Sequence, residues 1–241
     1  MKTFVIIIIL LISNKLWSQE VKTGRMPQIG DLAPSFVSES TMGTIHFPQD
    51  FGRNWKIIFS HPRDFTPVCS TEILELAHAA SEFDKLGAKL IVLSTDRLES
   101  HFSWKAALEE INFKGLGLKR IDFPLVDDQH YLVSALYGMH HPNAKKGTNI
   151  RGVFFIDREN VIRAFFYYPT EIGRNTDEII RTLQALQKTD DNPDILTPAN
   201  WQPGEPVLVA HPNSLMQDNM KQPETVYFQY SWFLIYFKDT L

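Results

Sequence analysis

Residues 55–60 (WKIIFS) are a short apolar run, the pattern of a strand buried on both faces. A helical period follows over 67–86, where Ile73, Leu76, Ala80 and Phe83 recur at steps of three and four. Gly87 is placed to stop that helix. Residues 89–95 read as a second buried strand, and 97–112 as a second helix with Phe102, Ala106 and Leu108 toward the core. A short strand at 123–126 and a short helix at 131–137 come next, then a loop over 138–150. Two apolar runs, 151–156 and 161–168, flank a polar turn at 157–160 and read as a β-hairpin. A helix over 176–187 closes the series. Strand and helix alternate and then give way to a hairpin. That order predicts an α/β fold with a mixed central sheet flanked by helices.

The flanks read differently. Residues 20–30 are a polar lead-in, and 31–54 hold two short segments broken by Pro34, Gly43, Pro48 and Gly52. After Lys188, the residues Asp190, Asp191, Asn192, Pro193 and Pro198 form a linker. Two strand-like pieces follow, 207–210 and the aromatic 226–237 (VYFQYSWFLIYF). The second reads as a strand packed on the main domain or on a partner subunit; a membrane-surface segment is the alternative. At the other end, Lys2 precedes a nine-residue apolar run from Phe4 to Ile12, and polar residues with Ser18 follow. Residues 1–19 therefore read as a secretory signal peptide, cut after Ser18 or Gln19. An uncleaved anchor or a core helix is the other reading. The run is well short of the roughly 20 residues of a spanning helix. The expected organisation is a leader at 1–19, a main domain at 27–189 and a small C-terminal extension at 190–241. The expected location is outside the cytoplasm, in a periplasm or secreted.

Composition narrows the chemistry. The chain has 241 residues, 44% hydrophobic and 22% charged, which argues against wholesale disorder. Its 24 basic and 28 acidic residues give a net charge of -4, and no run of five like charges occurs. A basic footprint for nucleic acid is missing. One cysteine, Cys69, excludes an intrachain disulfide, a CxxC redox pair and a multi-thiolate metal site. His140 and His141 are adjacent, a poor chelating geometry, so neither a metal nor a cofactor is expected.

Thr66-Pro67-Val68-Cys69 carries the most information. Thr is a favoured N-cap and Pro a favoured first helical residue, which sets Cys69 at the third position. The thiol then sits in the first turn, where the positive end of the helix favours a thiolate. From this alone two readings stand: an inert buried thiol, or an activated nucleophile. Pro62 could shield the sulfur, and Arg63 is a nearby cation.

Pro62-x-x-x-Thr66-x-x-Cys69 resembles the active-site signature of the peroxiredoxins, and the stretch 59–72 (FSHPRDFTPVCSTE) is similar to their one-cysteine, peroxiredoxin 6-like subgroup. Residues 94–104 (STDRLESHFSW) resemble the family's Ser-x-Asp and Ser-His-x-x-Trp elements. Arg151 opens a strand where the family has an active-site arginine, and 168–181 (YPTEIGRNTDEIIR) resembles a further family segment. The likeness covers about residues 26–210.

The resemblance implies a thioredoxin-like fold and reduction of hydrogen peroxide or alkyl hydroperoxides. Cys69 would be the nucleophile that becomes a sulfenic acid. Arg151 would hold thiolate and peroxide, the Thr66 hydroxyl would bridge them while capping the helix, and Pro62 would exclude water. The plain alternatives are a surface arginine, a mere cap and a turn proline. His61 matches the subgroup's histidine before the motif proline and could tune the site; His101 reads as packing. An external thiol or other reductant would recycle Cys69, and a homodimer is implied. The lipase residues of the mammalian member do not transfer, since Pro48, Asn54 and Glu159 stand at those positions. A competing reading is an exported peroxide sensor or holdase without efficient turnover. A cysteine hydrolase is weaker, because no partner motif accompanies Cys69.

Overall fold

The computed structural model describes residues 25–140, 148–211 and 227–238. The expected leader at 1–19 and the loop residues His141, Pro142, Lys145 and Lys146 lie outside them. Two short strands, β1 (Phe36–Ser38) and β2 (Ile45–Phe47), pair antiparallel. The central sheet comprises β3 (Trp55–Ser60), β4 (Ala88–Ser94), β5 (Leu125–Asp127), β6 (Arg151–Ile156) and β7 (Ile162–Tyr168). Its order is β5-β4-β3-β6-β7. The β3, β4 and β5 ladders are parallel, and β6 and β7 run antiparallel, so the sheet is mixed.

The buried runs seen in the sequence follow from helices and strands covering both faces. On one face Ile57, Phe59, Val92 and Phe155 pack with Ile73 and Leu76 of α1 (Pro67–Lys85) and with Ile179 and Leu183 of α4 (Thr176–Asp191). On the other, Ile58, Ile91, Leu93 and Phe154 pack with Phe36 and Phe47, and with Val133 of α3 (Leu132–Leu136). Each such fully buried Ile, Leu or Phe contributes roughly 1.5–3 kcal/mol of hydrophobic stabilisation. Lys56 lies in the same core. Its Nζ donates to Asn160 Oδ1 at 2.6 Å and to the Asp157 carbonyl at 3.3 Å, which replaces the water it has lost.

The second helix, α2 (Leu98–Glu109), ends earlier than the sequence pattern suggests and turns a different face inward. Its buried residues are His101, Trp104 and Leu108, whereas Phe102 is 50% exposed and Ala106 is exposed. The stripe at i, i+3 and i+7 contains a histidine, which a hydrophobic count scores as polar. Burial suits His101 because both ring nitrogens find partners.

Beyond α4 a four-stranded sheet runs β10-β11-β9-β8, made of β8 (Ile195–Leu196), β9 (Val207–Val209), β10 (Tyr227–Ser231) and β11 (Leu234–Phe237). Ile195, Trp201 and Val207 form its small core, against which Ala185 of α4 packs. The aromatic tail is thus not one strand. It is a hairpin, with Phe228 stacked on Tyr236 at 5.0 Å and Tyr227 against Phe237 at 5.2 Å. These cross-strand aromatic pairs exist only because the chain reverses at Trp232–Phe233. The tail packs on its own chain through the β9–β11 ladder.

Sheet register positions the site. Phe59 faces Val153 across the antiparallel β3–β6 ladder, so Arg151, the first residue of β6, comes level with the end of β3. The loop 61–66 and the start of α1 leave from that same edge, at the carboxyl ends of the parallel strands.

Candidate active site

Thr66 takes the N-cap position of α1 in an extended conformation, φ -107° and ψ 147°, and Pro67 follows as the first helical residue. Cys69 is therefore third in the helix, as the sequence predicts. Its side chain is wholly buried. Arg151 Nη1 donates to Cys69 Sγ at 3.3 Å and to Glu72 Oε2 at 2.7 Å. The rest of that guanidinium is fixed by the Thr170 carbonyl, which accepts from Nε at 2.9 Å and from Nη2 at 2.5 Å.

Glu72 stands three residues after Cys69, on the same helix face. Arg174 grips it from the other side. The Arg174 backbone N–H and Nε both donate to Glu72 Oε1 at 2.8 Å, and Nη2 donates to Oε2 at 2.8 Å. Arg174 Nη1 donates to the Gly152 carbonyl at 2.7 Å, and its guanidinium lies 4.8 Å from the centre of the Phe59 ring. Burial pushes the Glu72 carboxyl up, but the Arg174 charge and hydrogen bonds, then the Arg151 charge, outweigh it and hold it below its ordinary value. The buried set has two cations and one carboxylate. A thiolate at Cys69 brings it to neutrality, whereas a thiol leaves one positive charge uncompensated.

Two expectations change on inspection. The Thr66 hydroxyl makes no capping bond; it donates instead to the Arg63 carbonyl at 2.8 Å. The loop offers that nearer acceptor, so the first-turn N–H groups of α1 receive no bond from the Thr66 side chain. Arg63 itself is exposed, and its part is played by its carbonyl. Pro62 is buried in the loop. Asn54 donates to the Phe51 carbonyl at 2.8 Å, and Glu159 pairs with Arg53 at 2.5 Å, so both are engaged away from Cys69.

His61 is wholly buried and lies 5.0 Å from the Trp104 ring. Neither of its nitrogens makes a hydrogen bond, and Nε2 is 3.6 Å from Asp64 Oδ1. Burial drives its pKa down to about 4, partly opposed by the Asp64 charge, so the ring is neutral at neutral pH. The unfolded chain, near 6.5, binds a proton that the folded chain refuses. Stability therefore falls as pH drops through 6.5 toward 4, by about 3 kcal/mol at the lower end. His61→Leu is expected to flatten this part of the curve. Urea midpoints of both proteins across that window check it, and parallel curves would refute it.

Glu72 and Arg174 escaped the sequence reading. For Glu72 a signal existed, an acid one helical turn from the cysteine. Arg174 is 102 residues from Glu72 in sequence and had none beyond its place in the family-like stretch.

Comparison with known proteins assigns the chain. A family model described as the AhpC/TSA family matches residues 29–165, and the C-terminal domain of 1-Cys peroxiredoxin matches residues 185–219. A peroxiredoxin of Methanosarcina mazei is 44% identical over 218 residues, covering 89% of this chain and 99% of its own. Peroxiredoxin-6 of Rattus norvegicus is 41% identical over 198 residues, covering 80% and 87%. Among solved structures, a yeast mitochondrial 1-Cys peroxiredoxin superposes with a TM-score of 0.78 at 37% identity, over 89% of this chain and 100% of the other. A peroxiredoxin 6 of Arenicola marina gives 0.77 at 28% identity, over 89% and 100%. The fold is thioredoxin-like. With one cysteine among its 241 residues, the chain belongs to the peroxiredoxin family, as a thiol-dependent peroxidase of the one-cysteine type.

Proposed function

We propose that Cys69 is the peroxidatic cysteine, that Arg151, Thr66 and Pro62 complete its site, and that His61 tunes it. The observation that carries this is the Arg151 guanidinium, which reaches the buried sulfur while held by Glu72 and Thr170. The Cys69 thiolate attacks the terminal oxygen of the peroxide. The S–O bond forms as the O–O bond breaks, and the departing alkoxide or hydroxide takes a proton to leave as alcohol or water. Arg151 faces the charge that moves from sulfur to oxygen, and Cys69, in the first turn, sits at the positive end of α1. The Thr66 hydroxyl lies at the entrance to α1, able to donate and to accept. Pro62 contributes apolar cover.

Recycling uses an external thiol, because the chain has no second cysteine. A first thiol condenses with the sulfenic acid, releasing water and forming a mixed disulfide. A second thiol then displaces Cys69. The yeast relative is described as resolving its thiol through the glutathione and thioredoxin systems, so a donor of that class is proposed here. We place the enzyme outside the cytoplasm, on the residue pattern of positions 1–19 and the start of the matched region at residue 29. It acts as a homodimer in this reading, as the resemblance to the one-cysteine subgroup implies.

The test is single-turnover oxidation of the reduced protein by hydrogen peroxide, followed by Trp fluorescence and by mass spectrometry with a sulfenic-acid probe. The expected result is rapid, stoichiometric addition of one oxygen at Cys69, then turnover once thioredoxin or glutathione is supplied. Oxidation no faster than that of a free thiol would overturn the assignment.

A further inference from the structure

The Ser-His-x-x-Trp stretch has no part in the chemistry above, yet α2 presents both of its ring residues to the segment that leads into Cys69. His101 is wholly buried. Its Nε2 lies 3.1 Å from the Val126 carbonyl, which can only accept, so Nε2 carries a hydrogen. Its Nδ1 lies 2.8 Å from Asp64 Oδ2, and one proton is held between them. Asp64 is buried in the loop between β3 and α1. Its backbone N–H donates to Asp96 Oδ2 at 2.7 Å, which ties the same loop to the β4–α2 connection. Its other carboxylate oxygen has no hydrogen bond and points toward His61 Nε2 at 3.6 Å.

Trp104, one turn further along α2, holds the far end of the segment. Its Nε1 donates to Ser70 Oγ at 3.3 Å, and that hydroxyl donates to the Thr66 carbonyl at 2.9 Å. Its ring lies 5.0 Å from His61 and 6.5 Å from Phe65. Phe65 has φ +53°, a left-handed conformation that a bulky side chain keeps only when its surroundings impose it. The loop is thus strained, buried at His61, Pro62 and Asp64, and fastened to one neighbouring helix by a carboxylate–imidazole pair.

We propose that His101 is a positioning residue for peroxide reduction: through Asp64 it fixes the 61–66 loop, and with it Thr66 and the first turn that carries Cys69. This rests on peroxide reduction at Cys69. His101 does not touch the reacting atoms. It sets where they are.

The test compares full-length wild type with His101→Leu, His101→Asn and Asp64→Ala, all well below their melting temperatures. Two quantities are read: the rate of sulfenic acid formation with hydrogen peroxide, and the rate of Cys69 labelling by a polyethylene-glycol maleimide too bulky to reach a buried sulfur. His101→Leu is expected to oxidise about ten- to a hundredfold more slowly and to be labelled at least about fivefold faster, because the loop opens. His101→Asn keeps an N–H directed at Asp64 and is expected to recover most of both. A purely structural histidine would lower the melting temperature and leave both rates of the folded protein unchanged; that result overturns the proposal. If His101→Leu does not fold, Asp64→Ala carries the comparison, with the same slowing and faster labelling expected. If wild type itself oxidises no faster than a free thiol, the peroxidatic assignment fails, and unchanged labelling in the variants would still sink the loop-fixing role by itself.

Discussion

Arg151→Met is expected to slow sulfenic acid formation at Cys69 by about a hundred- to a thousandfold. The side chain of Met fills most of the same volume but supplies no donor. The sulfur then loses its 3.3 Å contact, and the peroxide loses the cation that would face the charge on its leaving oxygen. Two other consequences follow from the geometry. Glu72 keeps Arg174 and so keeps a counter-ion, whereas the Thr170 carbonyl loses both of its guanidinium donors. The stability cost should therefore be modest, about 1–3 kcal/mol at most, since Thr170 is only half-buried and its carbonyl can turn to water. The rate loss should far exceed what partial unfolding explains. Arg151→Lys is expected to recover only part of the rate. An ammonium keeps the charge, but no single nitrogen spans sulfur, carboxylate and carbonyl as the planar fork does. Stopped-flow Trp fluorescence at matched peroxide concentrations gives both rates. A folded Met variant within about threefold of wild type would remove Arg151 from the mechanism.

Much of the fold was legible, for a reason visible in β3 and β6. Strands covered on both faces must be apolar throughout, and six-residue runs such as WKIIFS show this without any partner being known. What misled was local chemistry that a hydrophobic count does not weigh. In α2 the buried stripe includes His101, whose burial depends on a carboxylate 37 residues away in sequence and on a carbonyl of β5. Phe102, the more apolar residue, faces solvent. The C-terminal hairpin was missed because its turn, Trp232–Phe233, has no Gly, Pro, Asn or Asp to mark it. An unbroken aromatic run reads as one strand until a partner strand is seen beside it.

The site was legible where it is local. Thr66-Pro67 states a helix start, and the backbone obeys, which places Cys69 in the first turn. The Thr66 hydroxyl departs from the capping preference because the loop carbonyl of Arg63 competes for it, a contact that helix propensities do not contain. Arg151 is 82 residues from Cys69 and was found only through the resemblance; the β3–β6 register is what brings it there. Arg174 enters from the loop before α4 and depends on tertiary structure alone. Sequence order thus yields the place of the thiol in the first turn, whereas the two guanidinium groups beside it are brought there by tertiary structure.

Glu72→Ala is expected to destabilise the protein by about 3–5 kcal/mol, more than any other single change around Cys69. The carboxylate lies between two buried guanidinium groups, and it accepts four hydrogen bonds from them and from the Arg174 backbone. Removing it leaves two like charges facing each other out of reach of water. Glu72→Gln separates shape from charge. The amide retains one acceptor oxygen, but its NH2 group opposes an arginine donor, so most of the loss should remain. Linkage supplies an independent readout. The Glu72 carboxyl is held below its ordinary value of 4.5, so its contribution is fully present above that pH and disappears as pH falls through the lower folded value. Wild type should lose stability over that acidic window more steeply than Glu72→Gln. Chemical denaturation at neutral pH and again below pH 4.5 measures both effects. If Glu72→Gln matched wild type at neutral pH, the Gly152 carbonyl and the Phe59 ring would suffice to hold Arg174, and the charge balance around the sulfur would have to rest on Arg151 and Cys69 alone.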